Sequence, residues 1–259
     1  DDIIYTDSGN VNAVKMVINR LVSNGFNSDG RNYLNEYRKL IDDPYFYSLE
    51  MGTFYKMRMA WQEALEEYLN YVHGNPDKLK YIKDIILTFP EDENIQDIVR
   101  DNLENSNFPA SKMILADVLF KDKQYRNSYK LLKQNNADEM RFLQFGEDLI
   151  MADEFTLADS VLNDLLIHSE NKTILEKTIF TIAMVYEART LQSLFLLPIS
   201  GFFRGNPVFS SPYLRVDESR SDALHQAISI YDSLKTNSNS VEASYRLAEI
   251  KFRALNDLD

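Results

Sequence analysis

The chain of 259 residues carries 40 acidic against 28 basic side chains, and a net charge of −12 repels a polyanion, so no nucleic-acid partner is expected. The absence of cysteine excludes disulfides, thiolate nucleophiles and thiolate metal sites. With 44% hydrophobic residues but only 8 Gly and 7 Pro, the composition excludes disorder and favours helices joined by short turns over a sandwich or barrel.

After a polar opening stretch, Val11, Val14, Met16, Val17, Ile18, Leu21 and Val22 recur at helical spacing until Gly25 stops the helix. A second helix over 31–41 carries Tyr33, Leu34, Tyr37, Leu40 and Ile41 on one face and ends at Asp42, Asp43 and Pro44. The two form an N-terminal hairpin, 1–44, that lacks the pattern of the units after it. From residue 45 a spacing recurs: a small residue, a large apolar one three later, Ala or Ser at twelve, Tyr or Leu at sixteen. It runs as Gly52, Tyr55, Ala64, Tyr68, as Ala116, Leu119, Ser128, Leu132, and as Gly146, Leu149, Ala158, Leu162. Small residues at these places let two helices approach closely, while the large ones fill the groove beside them. The units are 45–76, 77–108, 109–137, 138–170 and 171–240. Of these, 77–108 has paired helices (78–89 and 94–105) without the small residues. In 171–240, Ala183 and Tyr186 open the pattern, and the second helix, with Ala227 and Tyr231, arrives after an insertion over 191–220. The stretch 241–259 reads as the first helix of a further unit in a longer protein.

Met51, Gly52, Tyr55, Ala64, Tyr68, Tyr71 and Pro76 together resemble the tetratricopeptide repeat signature, a 34-residue helix-turn-helix unit. The resemblance implies an all-α, right-handed superhelical solenoid of antiparallel helix hairpins, a single array over 1–259. Its concave face would be lined by the first helix of each pair and would bind a peptide or a helix. Projected onto this chain, that face carries Thr53, Lys56 and Met57, then Met113, Asp117, Phe120 and Lys121, then Leu143, Glu147 and Met151, then Phe180, Met184 and Glu187. Packing between repeats is the competing role for its Met and Phe residues. The regular Lys, Asn and Arg set with which family members grip terminal carboxylates is absent, which argues against a chaperone-tail clamp. The acidic, Cys-free, Asn- and Tyr-rich composition also resembles bacterial envelope repeat proteins.

The insertion is unexpectedly apolar, with Leu194, Phe195, Leu196, Leu197, Phe202 and Phe203, yet Pro198 and Gly201 interrupt it and the run is too short to span a bilayer. Three roles stay open for it: an ordered plug over the core, a docking element for a partner protein, or a membrane contact through 191–214. Catalytic signals are weak. His73, His168 and His225 lie in different units. The clusters at Asp42–Asp43, Glu91–Glu93 and Asp153–Glu154 fall in turns and before helix starts, where carboxylates favour the helix dipole. The segments 7–10 and 27–30 resemble calcium-loop fragments without the completing Glu. The sequence therefore reads as a non-enzymatic scaffold, without cofactor or metal, that binds a peptide or protein through the concave face, the insertion or both. The alternative is a membrane-associated assembly or transport factor whose insertion meets lipid or an integral partner.

Overall fold

A computed structural model describes residues 10–191, 218–238 and 240–252. Among these every regular element is helical, and no helix is long and apolar enough to cross a membrane. The chain divides into two compact units, up to Gln124 and from Tyr125 onward.

The first unit comprises α1 (Val11–Ser23), α2 (Asn27–Leu40), α3 (Ser48–Met57), α4 (Trp61–Gly74), α5 (Leu79–Leu87), α6 (Glu93–Asn105) and α7 (Pro109–Lys121). The pairs α1/α2 and α3/α4 are hairpins. Close approach in the second is set by Gly52, where an added Cβ would lie 2.8 Å from the Tyr68 ring, a rigid plate that cannot yield. Met51, Tyr55, Ala64, Leu65, Tyr68 and Val72 are all essentially solvent-free around that crossing. Burial of each large member contributes about 1.5–3 kcal/mol. The first hairpin also has its small residue, on the other helix: Gly30 of α2 is buried against Val22 of α1 and stands 34 residues before Ala64. The hairpin thus keeps the small residue at the second place of the pattern, while Ile18 stands at its first. In 77–108 the missing small residues have the converse effect, and α6 packs on α4 and α7 rather than closely against α5.

One turn recurs inside the expected units 1–44, 45–76, 109–137 and 138–170. Gly25, Met59, Lys123 and Asp153 all have left-handed backbone, with φ of 88°, 60°, 60° and 60°. The next residue in each case returns its N–H to the carbonyl five positions earlier: Phe26 to Leu21, Ala60 to Tyr55, Gln124 to Leu119 and Glu154 to Leu149. This is the Schellman closure of a helix end. Glycine takes that backbone freely, whereas an L-residue there costs about 1–2 kcal/mol. Three of the four turns thus hold a side chain in a strained place.

Arg38 ties the first unit together. Its Nε donates to the Phe46 carbonyl at 3.0 Å, Nη1 to Asn35 Oδ1 at 3.3 Å and Glu67 Oε1 at 3.2 Å, and Nη2 to Ser48 Oγ at 2.7 Å and Glu67 Oε2 at 2.6 Å. All five guanidinium donors have acceptors, so a charge that would be costly to bury is accommodated. Asn70 extends the network to Ser48 Oγ and the Pro44 carbonyl.

The second unit comprises α8 (Tyr125–Gln134), α9 (Glu139–Met151), α10 (Phe155–His168), α11 (Lys172–Leu191), α12 (Glu218–Ser238) and α13 (Val241–Ile250). In the α9/α10 hairpin, a Cβ on Gly146 would lie 2.5 Å from Leu162. Helix α11 packs on α9 and α10 and, most extensively, on α12. Ala183, Leu224, Ala227, Tyr231, Leu234, Ala243, Leu247 and Ile250 form one apolar cluster there, with Phe180 tilted on Tyr231 at 5.4 Å. The small and large residues on either side of the insertion therefore meet. Glu187, 2% exposed, accepts from the Tyr231 hydroxyl and from Arg246 Nη2, both at 2.9 Å, and joins α11, α12 and α13.

Candidate binding surface

In the first unit the first helices are laced side by side by polar ties. Lys15 of α1 pairs with Glu50 of α3 at 3.5 Å, Asn19 bonds the Tyr47 hydroxyl, and Arg58 donates to the Ser23 carbonyl at 3.0 Å. Lys56 donates to Thr88 Oγ1 at 3.0 Å, Lys83 of α5 pairs with Asp117 of α7 at 3.4 Å, and Lys121 reaches the Leu87 carbonyl and Glu91. Of the residues expected to meet a partner, Lys56, Asp117 and Lys121 thus hold neighbouring elements together, and Phe120 is half-buried. Three methionines of this unit are open to solvent. Met57 is 72% exposed, Met16 is 71% exposed on the outward stripe of α1, and Met59 is 75% exposed at its left-handed turn. Met16 and Met59 escaped the sequence projection because neither occupies the concave-face register.

In the second unit the expected residues separate by depth. Leu143 and Glu187 are buried; Glu187 belongs to the core network and presents nothing to a partner. Met184 is half-buried and Met151 is 87% exposed. Phe195, Phe202 and Phe203 lie outside the described residues. Burial, and then the like charge of Asp148, push the Glu147 carboxyl up, with Lys177 partly offsetting them. The folded state therefore holds this proton more tightly than the unfolded chain. Its contribution is present below the ordinary carboxylate pKa of about 4.3 and is lost as pH rises through the raised value. Glu147→Gln is expected to stabilise the fold at neutral pH by an amount that shrinks toward pH 4, measured by urea unfolding of both proteins from pH 4 to 7. An advantage of the variant that grew toward pH 4 would refute the assignment.

Two concavities flank α4 on the side of the second helices. One, of about 610 Å³, is lined by Arg31, Asn35, Arg38, Lys39, Glu66 and Asn70; the other, of about 410 Å³, by Glu66, Asn70, Asp101, Asn102, Asn105 and Phe108. Both are open, and two ion pairs line the first, Arg31 with Glu66 and Arg38 with Glu67. The histidines stay apart in role. His73 sits 3.9 Å from the Phe108 ring centroid and 5.3 Å from that of Tyr45, while His168 Nδ1 lies 2.7 Å from the Asp164 carbonyl. Among the described residues no group of three His, Cys, Asp or Glu is placed to hold a metal ion. No protein-family model and no curated protein matches the chain.

Proposed function

We propose that this chain is a tetratricopeptide-like scaffold, its hairpins stacked as a right-handed solenoid, that binds a protein or peptide through the surface of its first helices. The observation that carries this reading is the exposure of Met16, Met57 and Met59 beside side chains whose charges are already paired. Exposed methionines supply adaptable apolar contact. Met59 adds a third exposed methionine, at the turn that closes the end of α3. The array reading is supported by the small residues at the helix crossings and by the recurrent turn, Gly25 and Met59 standing one 34-residue period apart.

Met59→Gly separates fold from function. It is expected to raise stability by about 0.5–1 kcal/mol, the relieved strain less the added freedom of the unfolded chain. It is also expected to weaken capture of a partner from an extract of the source organism, as is the pair Met16→Glu and Met57→Glu. Undiminished capture by both variants, with helical circular dichroism intact, would remove this surface from consideration. The apolar run Leu194–Phe203 favours a second reading, a membrane-associated factor. Vesicle flotation that disappears when 191–220 is cut to a short polar turn would support it.

A further inference from the structure

A hollow of about 230 Å³ in the second unit, between α8, α9 and α10, differs in lining from the two concavities of the first. Much of it is apolar: Val161 and Leu165 of α10 are buried, and Phe142 of α9 and Ala137 before it are half-buried. The polar side chains beside them are few, and their partners decide what the hollow can take. Asp164 Oδ2 accepts from Lys133 Nζ and from the Tyr129 hydroxyl, both at 2.7 Å, so this carboxylate has its cation. Lys133 first, then Tyr129, hold the Asp164 carboxyl below its ordinary value. Lys133 is committed in return, and its ammonium also stands 5.6 Å from the Tyr129 ring centroid. His168 Nδ1 lies 2.7 Å from the Asp164 carbonyl, which can only accept, so that nitrogen carries the proton and the neutral ring offers an acceptor at Nε2. Glu139 differs from Asp164. Ser169, 8% exposed, donates to Glu139 Oε2 at 2.9 Å and is itself held by the Asn171 N–H at 3.2 Å. The carboxylate is thus fixed in place, yet among the described residues no cation lies within ion-pair reach of it. Capping does not account for it, because Asp138 already caps α9 by accepting from the Arg141 N–H at 2.7 Å.

The geometry points to this hollow as the seat of a small organic cation, a primary ammonium that pairs with Glu139 on an aryl or branched alkyl body that lies against Phe142, Val161 and Leu165. An apolar concavity with a few placed polar groups is the usual form of a ligand site, and a volume below the roughly 300 Å³ at which drug-sized sites begin calls for a small occupant. Charge decides the sign of the ligand. The lining carries two carboxylates and one ammonium, and that ammonium is already bound to Asp164, which leaves Glu139 as the group that an incoming charge meets. The net charge of −12 disfavours an anion in the same sense. An ammonium donating to a fixed carboxylate makes a charge-assisted hydrogen bond, and its body removes apolar surface of the hollow from water.

The probe is phenethylammonium, with phenylpropionate as the anion of like body, each titrated into the isotope-labelled full chain and followed by amide chemical shifts. Saturable binding of the cation with a Kd of about 1 mM or tighter is expected, with shifts centred on Ala137, Phe142 and Leu165, and the anion should bind at least about tenfold more weakly. Glu139→Gln keeps an acceptor for Ser169 but removes the charge, and should weaken the cation about tenfold while circular dichroism stays unchanged. Lys133→Met acts in the opposite direction: it takes the cation from Asp164 and should tighten phenethylammonium about threefold, at a side chain that is half exposed. A hollow that takes apolar bodies without regard to charge would answer to neither change. Absence of saturation by about 10 mM, equal affinity for phenylpropionate, or affinity indifferent to Glu139→Gln overturns the proposal.

Discussion

Arg38→Met is expected to lower the stability of the first unit by about 3–5 kcal/mol, because it leaves Glu67 charged and buried with its partner gone. The side chains of Arg38 and Glu67 are 9% and 7% exposed, so water cannot take over the lost contacts. Arg38→Lys should recover only part of the loss, since one ammonium cannot reproduce a planar fork that meets Asn35, Ser48, Phe46 and both Glu67 oxygens. The double change Arg38→Met with Glu67→Leu should restore most of it, as apolar replacement of a buried pair generally does. Trp61, the one tryptophan of the chain, packs 5.0 Å from Phe89 within this unit and gives the readout: urea unfolding followed by its fluorescence. A loss under about 1 kcal/mol for the single variant would show that the network is better solvated than its geometry indicates.

In the second unit the corresponding change is Glu187→Ala, expected to cost about 2–4 kcal/mol by stranding the buried Tyr231 hydroxyl and loosening Arg246 from α11. Glu187→Gln keeps an acceptor and should cost less. Hydrogen exchange of α12 and α13 amides is the direct measure, and protection unchanged in the Ala variant would refute the keystone role. The same site carries an alkaline signature. Burial first, then the Glu187 carboxylate, raise the Tyr231 hydroxyl above its ordinary value near 10. Its stabilising contribution is therefore full below that value and declines as pH rises beyond it, a decline that Tyr231→Phe should reduce.

These two networks are also where sequence reading fell short, for a definable reason. Small residues at helix crossings announce themselves by spacing, which is why Gly52, Gly146, Ala183 and Ala227 were legible with the residues they pack on. Arg38 and Glu67 are 29 positions apart in stretches rich in charge, and nothing local distinguishes them from the solvated residues beside them. Glu187 fell on the expected binding face because that projection assumes a helix with one neighbour. Arg246, 59 residues further on, brings α13 over it and turns a surface carboxylate into a core one. Gly30 does not announce itself because the recurrent spacing opens with a small residue on the first helix of the pair, where this hairpin has Ile18. The recurrent turn was hidden by its residues, Met59, Lys123 and Asp153, none of which signals left-handed backbone as glycine does. Among the residues expected to meet a partner, Met57 and Met151 are exposed, whereas the pairing of Lys56, Asp117 and Lys121 depends on rotamers that meet across different helices.

The route between α11 and α12 has a kinetic consequence. Helices α3 and α4 are joined by three residues, as are α9 and α10, whereas 26 residues separate Leu191 from Glu218. Closing a longer stretch of chain costs more entropy before any contact rewards it, and non-local pairings form more slowly. The short hairpins should therefore assemble first, and the α11–α12 seam, with the burial of Glu187 against Tyr231, should come last. In pulse-labelled hydrogen exchange, amides of α3, α4, α9 and α10 should gain protection before those of α12, and simultaneous protection would contradict that order. Until the seam closes, Ala183, Ala227 and Tyr231 are unburied in the nascent protein, which makes this interval the one in which the chain is most exposed to aggregation.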